Sequence, residues 1–308
     1  MSAWRESAVI PSPSSMTWRD GWVAFWHRLP PFRGRLAIAR IGGQWLFSTR
    51  RHPIAFATLA NGYRLKLDLR WSDYDSLYYF RTYEDPLLQL IRRTLDTAGA
   101  SFVDVGANVG LFSLAAADVL IRRGGRALAI EPLPANMAFL RESIEVNHLG
   151  ETIAPVQAAV GDAAGTLDLW SMSTGAIANA VPLGWRTGEH QQPTAADRIT
   201  VPMVTLDSLV RDHGITNVRF VKIDVEGAEQ FVLEGARELL ARDRPLVYAE
   251  MHRVFSAANA TGATDLAAFA ASLGYDVHYL APGGHVVTAP PDAASQSLDA
   301  ILVPQRAR

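Results

Sequence analysis

The chain has 308 residues, a formal net charge of -2 at pH 7 and no cysteine. This length allows one large α/β domain or two smaller ones, each with its own core. The near-neutral charge gives no electrostatic reason to expect a nucleic acid as partner, and the lack of cysteine excludes disulfides, Cys-ligated zinc and thiol catalysis. The sequence shows no recognisable metal-ligand set, and we assign no metal site from it.

The first part of the chain, residues 1–55, is predicted to be an N-terminal extension or cap, and residues 56–308 the main domain. Four aromatic residues of the extension recur at helical spacing: Trp18, Trp22, Phe25 and Trp26. This spacing favours a face docked on the protein's own core over a membrane-surface anchor. Neither a signal peptide nor an apolar run of membrane-spanning length is visible, so we expect a cytoplasmic protein without membrane insertion.

The secondary structure is predicted to begin with a hairpin strand from Tyr63, where apolar and polar residues alternate, and a helix over Pro86 to Thr97. Short apolar strands separated by helices follow, over Phe102–Val105, Ala127–Ile130, Ile153–Val160, Phe220–Ile223, Pro245–Ala249, Asp276–Leu280 and Ala300–Val303. This alternation predicts a doubly wound, mainly parallel sheet with helices on both faces. Between Leu167 and Leu206 a Gly, Pro, Gln and Thr-rich connection with two short strands is expected to be functional or a lid.

A glycine-rich turn, Gly106-Ala-Asn-Val-Gly110, joins the first of these strands to the next helix. Glycine at both ends permits backbone angles and a close approach that a Cβ would block, so a ligand can lie against the turn and the helix N-terminus. The spacing differs from the full dinucleotide fingerprint G-x-G-x-x-G. A tight strand-to-helix turn without a ligand is the alternative.

Three polar residues further along the chain extend this site. Glu131 ends the next strand, where a carboxylate can accept hydrogen bonds from both ribose hydroxyls of an adenosine ligand, unless it is an exposed helix cap. Asp162 follows the third strand and can reach an adenine amine, or it is an ordinary turn residue. Asn147 lies near the end of the intervening helix and is either part of the pocket or a helix C-terminal residue.

The densest polar cluster runs from Phe220 to Glu229. By the period of two, Lys222, Asp224 and Glu226 are predicted to share one strand face. Ionisable groups at the end of an apolar strand are costly unless they are paired or functional, so the cluster indicates a site, with a structural ion-pair network as the alternative.

The next strand ends in Glu250-Met251-His252, again where open α/β sheets bind ligands. His252 can accept a proton from a hydroxyl near neutral pH, and Glu250 can orient it or bind substrate. The alternative for this histidine is an ordinary loop residue.

Six segments in this order resemble the FkbM family of methyltransferases: Asp104–Gly110, Glu131–Pro132, Ala159–Asp162, Thr205–Leu209, Lys222–Glu229 and Arg244–Pro245 followed by Glu250. The resemblance covers roughly residues 78–303, and the Lys-Ile-Asp-Val-Glu-Gly-Ala-Glu segment is its most specific part. It implies a class I methyltransferase (Rossmann-like) α/β fold, with a seven-stranded, mainly parallel sheet whose last strand is antiparallel. S-adenosyl-L-methionine would lie over the first two strand ends.

The resemblance also implies the roles of individual residues. The Tyr83-Glu84 pair resembles a family pair and suggests that Glu84 lies near the methionine end of the cofactor. The predicted cofactor-binding residues are Glu84, Asp104, Gly106, Asn108, Gly110, Glu131, Asn147 and Asp162. The resemblance does not identify the catalytic base. The residues themselves make Asp224, Glu226 and His252 the candidate catalytic bases, with Lys222 holding their charges or binding a substrate oxygen.

Family members typically methylate hydroxyl groups, so O-methylation of a saccharide or natural product is expected. Transfer from a sulfonium needs alignment more than acid catalysis, and the acceptor hydroxyl must be placed where water is excluded. Two alternatives remain: a nucleotide-dependent oxidoreductase, disfavoured by the glycine spacing, and a noncatalytic scaffold that keeps the fold.

Overall fold

The computed structural model describes residues 18–29, 34–47, 53–70, 75–80, 86–173, 178–182, 198–252, 266–281, 285–288 and 297–305. The chain divides into two compact units, Met1–Tyr83 and Glu84–Arg308. The predicted domain boundary near residue 55 falls inside the first unit and stays a prediction of where an independently folding domain begins.

In the first unit, two helices precede a strand hairpin in the chain and one helix follows it. The elements are α1 (Trp18–Arg28), α2 (Arg35–Phe47), β1 (Ile54–Thr58), β2 (Arg64–Asp68) and α3 (Asp75–Phe80). The predicted hairpin is confirmed, because β1 and β2 pair antiparallel with Phe56 opposite Lys66. Leu65 and Leu67 are fully buried, whereas Arg64 between the turn and Leu65 is exposed. The alternating pattern thus gives one buried face with Leu65 and Leu67, and the opposite face changes from exposed at Arg64 to buried at Asp68.

The described aromatic side chains of α1 contact one another and residues of their own unit. The Trp26 ring is 3% exposed and lies edge-on to Phe80, with ring centroids 6.1 Å apart. The Trp22 indole N–H donates to the carbonyl oxygen of Ala39 in α2, while Phe25 remains 51% exposed. Docking on the protein's own core is therefore confirmed for Trp22 and Trp26. Within the described part of the chain, no helix combines the length and the hydropathy needed to cross a membrane.

The second unit is an α/β structure with twelve strands and seven helices among its described residues. Its elements up to the second sheet are α4 (Pro86–Thr94), β3 (Ser101–Val105), α5 (Leu111–Arg123), β4 (Ala127–Ile130), α6 (Pro134–Val146), β5 (Ile153–Val156), β6 (Ala159–Val160), β7 (Gly165–Ser173), β8 (Ala178–Pro182) and β9 (Arg198–Val204). The rest are α7 (Leu206–Asp212), β10 (Val218–Ile223), α8 (Glu229–Glu234), α9 (Arg237–Asp243), β11 (Leu246–His252), α10 (Leu266–Ser272), β12 (Tyr275–Leu280), β13 (Val286–Val287) and β14 (Ser297–Pro304).

The main sheet has eight strands in the order β13-β12-β14-β11-β10-β3-β4-β5. Strands β11, β10, β3, β4 and β5 are parallel, and β14 is antiparallel to both of its neighbours. This confirms the predicted class I fold, with the two-residue strand β13 added at one edge. The carboxyl ends of β4, β3, β10 and β11 consequently meet along one edge of the sheet, where such folds bind ligands.

A second, four-stranded sheet differs from the prediction. Residues 153–160 were expected to form one strand, but they form β5 in the main sheet and β6 in the second sheet, in the order β6-β9-β7-β8. Pro155 lies in β5, where it has no N–H to donate, and β5 is an edge strand as a proline requires. The chain can therefore leave the main sheet here and begin another.

Candidate functional site

The glycine-rich turn bends sharply between β3 and α5. Three of its residues have left-handed backbone angles, with φ of +76° at Gly106, +52° at Asn108 and +94° at Gly110. A Cβ on Gly106 would lie 1.8 Å from the backbone oxygen of Asp224, and one on Gly110 would lie 2.4 Å from a methyl carbon of Leu140. Glycine is thus required by the neighbouring protein atoms as well as by φ, and the turn is packed directly against the exit of β10.

A cleft opens beside this turn, along the carboxyl ends of β3, β4 and β10. Its empty space, including the part open to solvent, is about 730 Å³. The polar side chains that line it are Asn108, Glu131, Asn136, Asp224 and Glu226. Its apolar wall includes Ile130, Leu133, Val160 and the β7 residues Leu167 and Leu169. The second sheet, most of which lies in the connection expected to be functional, therefore contributes one wall of the cleft.

Glu131 is held in place by three donors of its own chain. Its Oε1 accepts hydrogen bonds from the backbone N–H of Leu133 (3.1 Å) and the amide of Asn136 (3.1 Å), and its Oε2 accepts one from the backbone N–H of Asn108 (3.0 Å). A carboxylate has about four acceptor positions, so Oε2 has room for one further donor. Glu131 is 5% exposed, and burial raises its pKa to about 7 although the three hydrogen bonds favour the ionised form.

Asn108 offers a second polar group in the cleft. Its side-chain oxygen is buried and accepts no hydrogen bond from the described residues. An acceptor in that position costs free energy unless a ligand or water supplies a donor. Asn108 therefore contributes a backbone N–H that holds Glu131 and a side-chain oxygen that has no donor among the described residues.

Asp104 lies beneath the turn and does not line the cleft. It is fully buried, accepts a hydrogen bond of 2.7 Å from the Ser113 hydroxyl, and has its other oxygen 3.6 Å from Lys222 Nζ. Burial raises the pKa of Asp104, and the charge of Lys222 and the Ser113 hydrogen bond counteract part of that rise. Asp104 therefore supports the glycine-rich turn.

Lys222 is also buried, with 2% of its side chain exposed. Its ammonium group donates to Asp224 Oδ2 (3.2 Å) and to the carbonyl oxygen of Gly106 (3.3 Å). Burial alone would lower the pKa of Lys222, but the charges of Asp224 and Asp104 outweigh burial and raise it. Lys222 is therefore a buried cation that ties the β10 exit to the glycine turn, and it holds the charges of the two aspartates.

Asp224 and Glu226 both line the cleft, but not for the reason that the sequence suggested. Strand β10 ends at Ile223, and Glu226 has a left-handed φ of +56°, so the two-residue alternation of a strand does not reach it. Lys222 points into the protein, where it contacts Asp224. The period of two therefore groups these residues correctly only as far as the strand extends.

Two predicted cofactor residues lie away from the cleft. Asn147 is the C-terminal cap of α6, and its amide donates to the carbonyl oxygen of Ser143 (2.6 Å). Asp162 is exposed in the turn after β6, and neither residue lines the cleft. The alternatives of a helix C-terminal residue and a turn residue describe their positions in the structure.

Glu84 and His252 are the remaining candidate residues. Glu84 lies outside the described residues. His252 is described by its backbone only, as the last residue of β11 opposite Ser297. In the same strand the Tyr248 hydroxyl donates to Asp299 of β14 at 2.7 Å, a contact that the sequence analysis missed. The one local sequence feature that indicates this contact is that Asp299 is the only charged residue in β14.

Comparison with known proteins identifies the family. The sequence model of the methyltransferase FkbM domain matches residues 104–277. Methyltransferase sdnD of Sordaria araneosa is 29% identical over 160 residues, covering 44% of this chain and 60% of that protein. The 31-O-demethyl-FK506 methyltransferase FkbM of Streptomyces tacrolimicus is 29% identical over 172 residues, covering 49% and 65%. The chain thus spans less than two thirds of the length of either curated relative.

Among solved structures, methyltransferase FkbM from Methylobacillus flagellatus KT matches with a TM-score of 0.42 and 15% identity, covering 91% of this chain and 57% of that one. The family match rests on the sequence, and it contains the glycine turn, Glu131 and the whole β10 exit. The family model matches more than half of the residues of this chain. This chain therefore belongs to the methyltransferase FkbM domain family.

Proposed function

We propose that the chain is an S-adenosyl-L-methionine-dependent methyltransferase that methylates a hydroxyl group of a saccharide or another natural product. Family membership supports methyl transfer, and one relative carries the name 31-O-demethyl-FK506 methyltransferase, which refers to an oxygen of a natural product. The cleft at the carboxyl edge of the sheet supports the adenosine-containing cofactor.

The observation that carries the proposal is the carboxylate of Glu131. Three protein donors fix it at the end of β4 and leave acceptor capacity on Oε2, next to the unpartnered oxygen of Asn108. A ribose hydroxyl is a donor of the right kind for this position. The apolar wall with Ile130, Leu133 and Val160 suits the adenine ring, which is flat and largely apolar on its faces.

The remaining site residues divide by their position. Asp224 and Glu226 line the cleft, which supports a role in binding a substrate hydroxyl or accepting its proton. Lys222 acts through Asp224 and the turn, since it has no surface in the cleft. The bound cofactor supplies a methyl group on a sulfonium, and the chain's task is to align the acceptor with it and exclude water.

Calorimetric titration tests the cofactor. Wild-type protein is titrated with S-adenosylhomocysteine and with NAD, and the same titrations are made on Glu131→Ala and on the control Glu145→Ala, whose side chain is exposed on α6. We expect S-adenosylhomocysteine to bind the wild type and the control, and to bind Glu131→Ala at least tenfold more weakly, because a hydrogen bond to a charged group is lost. NAD binding without S-adenosylhomocysteine binding would favour an oxidoreductase and refute the proposal. Cofactor binding without methyl transfer to any hydroxyl acceptor would leave only a noncatalytic scaffold.

A further inference from the structure

A buried tyrosine–aspartate pair lies at the same edge of the sheet as the cleft, beyond the residues that line it. Tyr248 of β11 is 6% exposed, and its hydroxyl donates to Asp299 Oδ1 of β14 at 2.7 Å. The two residues lie 51 positions apart in the chain and are brought together by the pairing of β11 with β14. Asp299 is partly buried and thus still reachable from the solvent side of the edge.

The sheet register places this pair in line with the polar residues of β10. Tyr248 lies beside Lys222 across β10 and β11, and Asp299 lies opposite Glu250 across β11 and β14. Strands are about 4.8 Å apart, so Asp299 is about 10 Å from the exit of β10. Glu131 lies about as far from β10 in the other direction, because β3 separates β4 from β10. An adenosine ligand held at Glu131 would therefore have its reactive end near the middle of this edge, with Asp299 beyond it.

Glu250 of β11 and Asp299 of β14 are two acidic residues that lie directly opposite each other. Side chains in such a pair have Cβ atoms about 5 Å apart, and like charges there destabilise the sheet. The hydrogen bond from Tyr248 stabilises one of the two. A carboxylate held in this way at the ligand-binding edge of the sheet indicates a function.

The geometry of the pair leaves one carboxylate oxygen available. Burial raises the pKa of Tyr248 above its usual range, and the charges of Asp299 and Glu250 raise it further, so the phenol keeps its proton and acts as a donor. It holds Asp299 by Oδ1, and Oδ2 accepts no hydrogen bond within the described part of the chain. Asp299 is thereby oriented with a free acceptor oxygen at the edge of the sheet.

We propose that Asp299 binds the acceptor hydroxyl and takes its proton during methyl transfer, and that Tyr248 is its positioning residue. The proposal rests on the proposed function. In the step it describes, the acceptor oxygen bonds to the methyl carbon and the carbon–sulfur bond breaks. The electron pair of that bond stays on sulfur, which becomes a neutral thioether, and the hydroxyl proton passes to Asp299 Oδ2 and then to solvent.

The charges at this edge also define the class of acceptor. Asp224 follows the end of β10, and Glu250 and Asp299 lie opposite each other in β11 and β14. Lys222 of β10 is buried and paired with two aspartates, Asp104 and Asp224. Phosphate or carboxylate acceptors would be repelled, whereas neutral compounds with several hydroxyl donors are suited to carboxylate acceptors. The acceptor subsite is therefore one for a neutral polyol.

The test begins with a panel of neutral polyols, namely methyl glycosides of common hexoses and a polyhydroxylated macrolide, offered to the wild type with radiolabelled S-adenosylmethionine. The compound that is methylated becomes the probe. With this probe we expect Asp299→Asn to lower kcat at least 100-fold and Tyr248→Phe to lower it about tenfold, with the KM for the cofactor unchanged. Asp299→Glu, which keeps the carboxylate, should recover part of the rate.

A second readout involves no chemistry. Binding of the probe to the protein already saturated with S-adenosylhomocysteine should weaken about tenfold in Asp299→Asn. The matched controls are Tyr275→Phe and Asp276→Asn at the opposite edge of the sheet, where the Tyr275 hydroxyl donates to the carbonyl oxygen of Leu240. Neither control should change kcat or probe binding.

The outcomes separate the two proposals. If no polyol is methylated and S-adenosylhomocysteine does not bind, the proposed function fails and this inference fails with it. If a polyol is methylated and Asp299→Asn and Tyr248→Phe turn over like the controls, the inference is wrong while the methyltransferase assignment stands. If Asp299→Asn does not fold, the comparison of Tyr248→Phe with Tyr275→Phe decides.

Discussion

The affinity of the cleft for adenosine ligands should depend on pH through the ionisation of Glu131. Burial raises the pKa of this carboxyl to about 7 in the free protein, so it changes charge within the physiological range. A ribose hydroxyl donates to the ionised form, and ligand binding therefore favours loss of the proton. We expect the dissociation constant to fall as the pH rises through about 7 and to level off above about pH 8.

The magnitude follows from the position of that pKa. At pH 6 about nine in ten Glu131 carboxyls carry a proton, whereas at pH 8 about one in ten does. If the complex contains only the carboxylate, the dissociation constant at pH 6 is about tenfold larger than at pH 8, or about 1.4 kcal/mol in binding free energy. A smaller change would mean that the protonated carboxyl also binds the ribose.

The assay is calorimetric titration with 5′-methylthioadenosine between pH 5.5 and 8.5. This ligand lacks the amino acid part of the cofactor, so it brings no titrating group of its own into this range. Glu131→Gln should bind weakly and without the pH dependence, and the exposed Glu145→Gln should behave like the wild type. A wild-type dissociation constant that is flat from pH 6 to 8 would refute the reasoning.

Three further predictions concern stability. Gly106→Ala should lower the free energy of unfolding by about 3 kcal/mol or more, because the new Cβ would lie 1.8 Å from the backbone oxygen of Asp224. The control is Gly214→Ala, where φ is +61° but the surrounding space is open, and it should cost only about 1–2 kcal/mol. Urea denaturation measures both losses. Lys222→Met should cost about 3–5 kcal/mol because it leaves the buried carboxylate of Asp104 uncompensated, and a loss below about 1 kcal/mol would contradict its role. The pKa of Glu131 is about 7 in the folded protein and 4.5 ordinarily, so the folded state binds more protons than the unfolded state between these pH values. The free energy of unfolding should therefore fall as the pH rises through this range, by about 3 kcal/mol in total. Glu131→Gln should lack this loss when urea denaturation at pH 5 is compared with urea denaturation at pH 8.

Local sequence signals predicted the parts of the site that depend on local geometry. Gly106 and Gly110 have the positive φ angles that a sharp strand-to-helix turn requires, and Glu131 ends its strand beside that turn. These features follow from a few neighbouring residues and from the rule that parallel strands end at one edge. The fold class could be predicted for the same reason, from the alternation of short strands and helices.

The differences between the expected and the observed positions have physical causes as well. Glu226 was grouped with Lys222 by a strand period that stops at Ile223, because the chain turns into a left-handed conformation that the sequence pattern does not reveal. Asn147 has a side chain suited to ligand binding, but its amide is used by the carbonyl oxygen of Ser143 at the end of its helix. A polar residue at a helix end satisfies local backbone groups first.

The contact between Tyr248 and Asp299 could not be predicted because it depends on the register of an antiparallel strand pair. A shift of one residue would send Asp299 to the other face of the sheet. Register between strands 51 positions apart is set by the packing of the whole sheet, which no local pattern contains.

The three hydrogen bonds to Glu131 have a consequence for selectivity. They immobilise the carboxylate before any ligand arrives, so the side-chain conformational entropy, up to about 2 kcal/mol for a glutamate, is lost during folding and not during binding. A rigid acceptor cannot follow a ligand whose hydroxyl is missing or displaced. The cleft should consequently discriminate ribose from deoxyribose compounds more strictly than a flexible glutamate would, because the unmatched acceptor would remain buried without a donor.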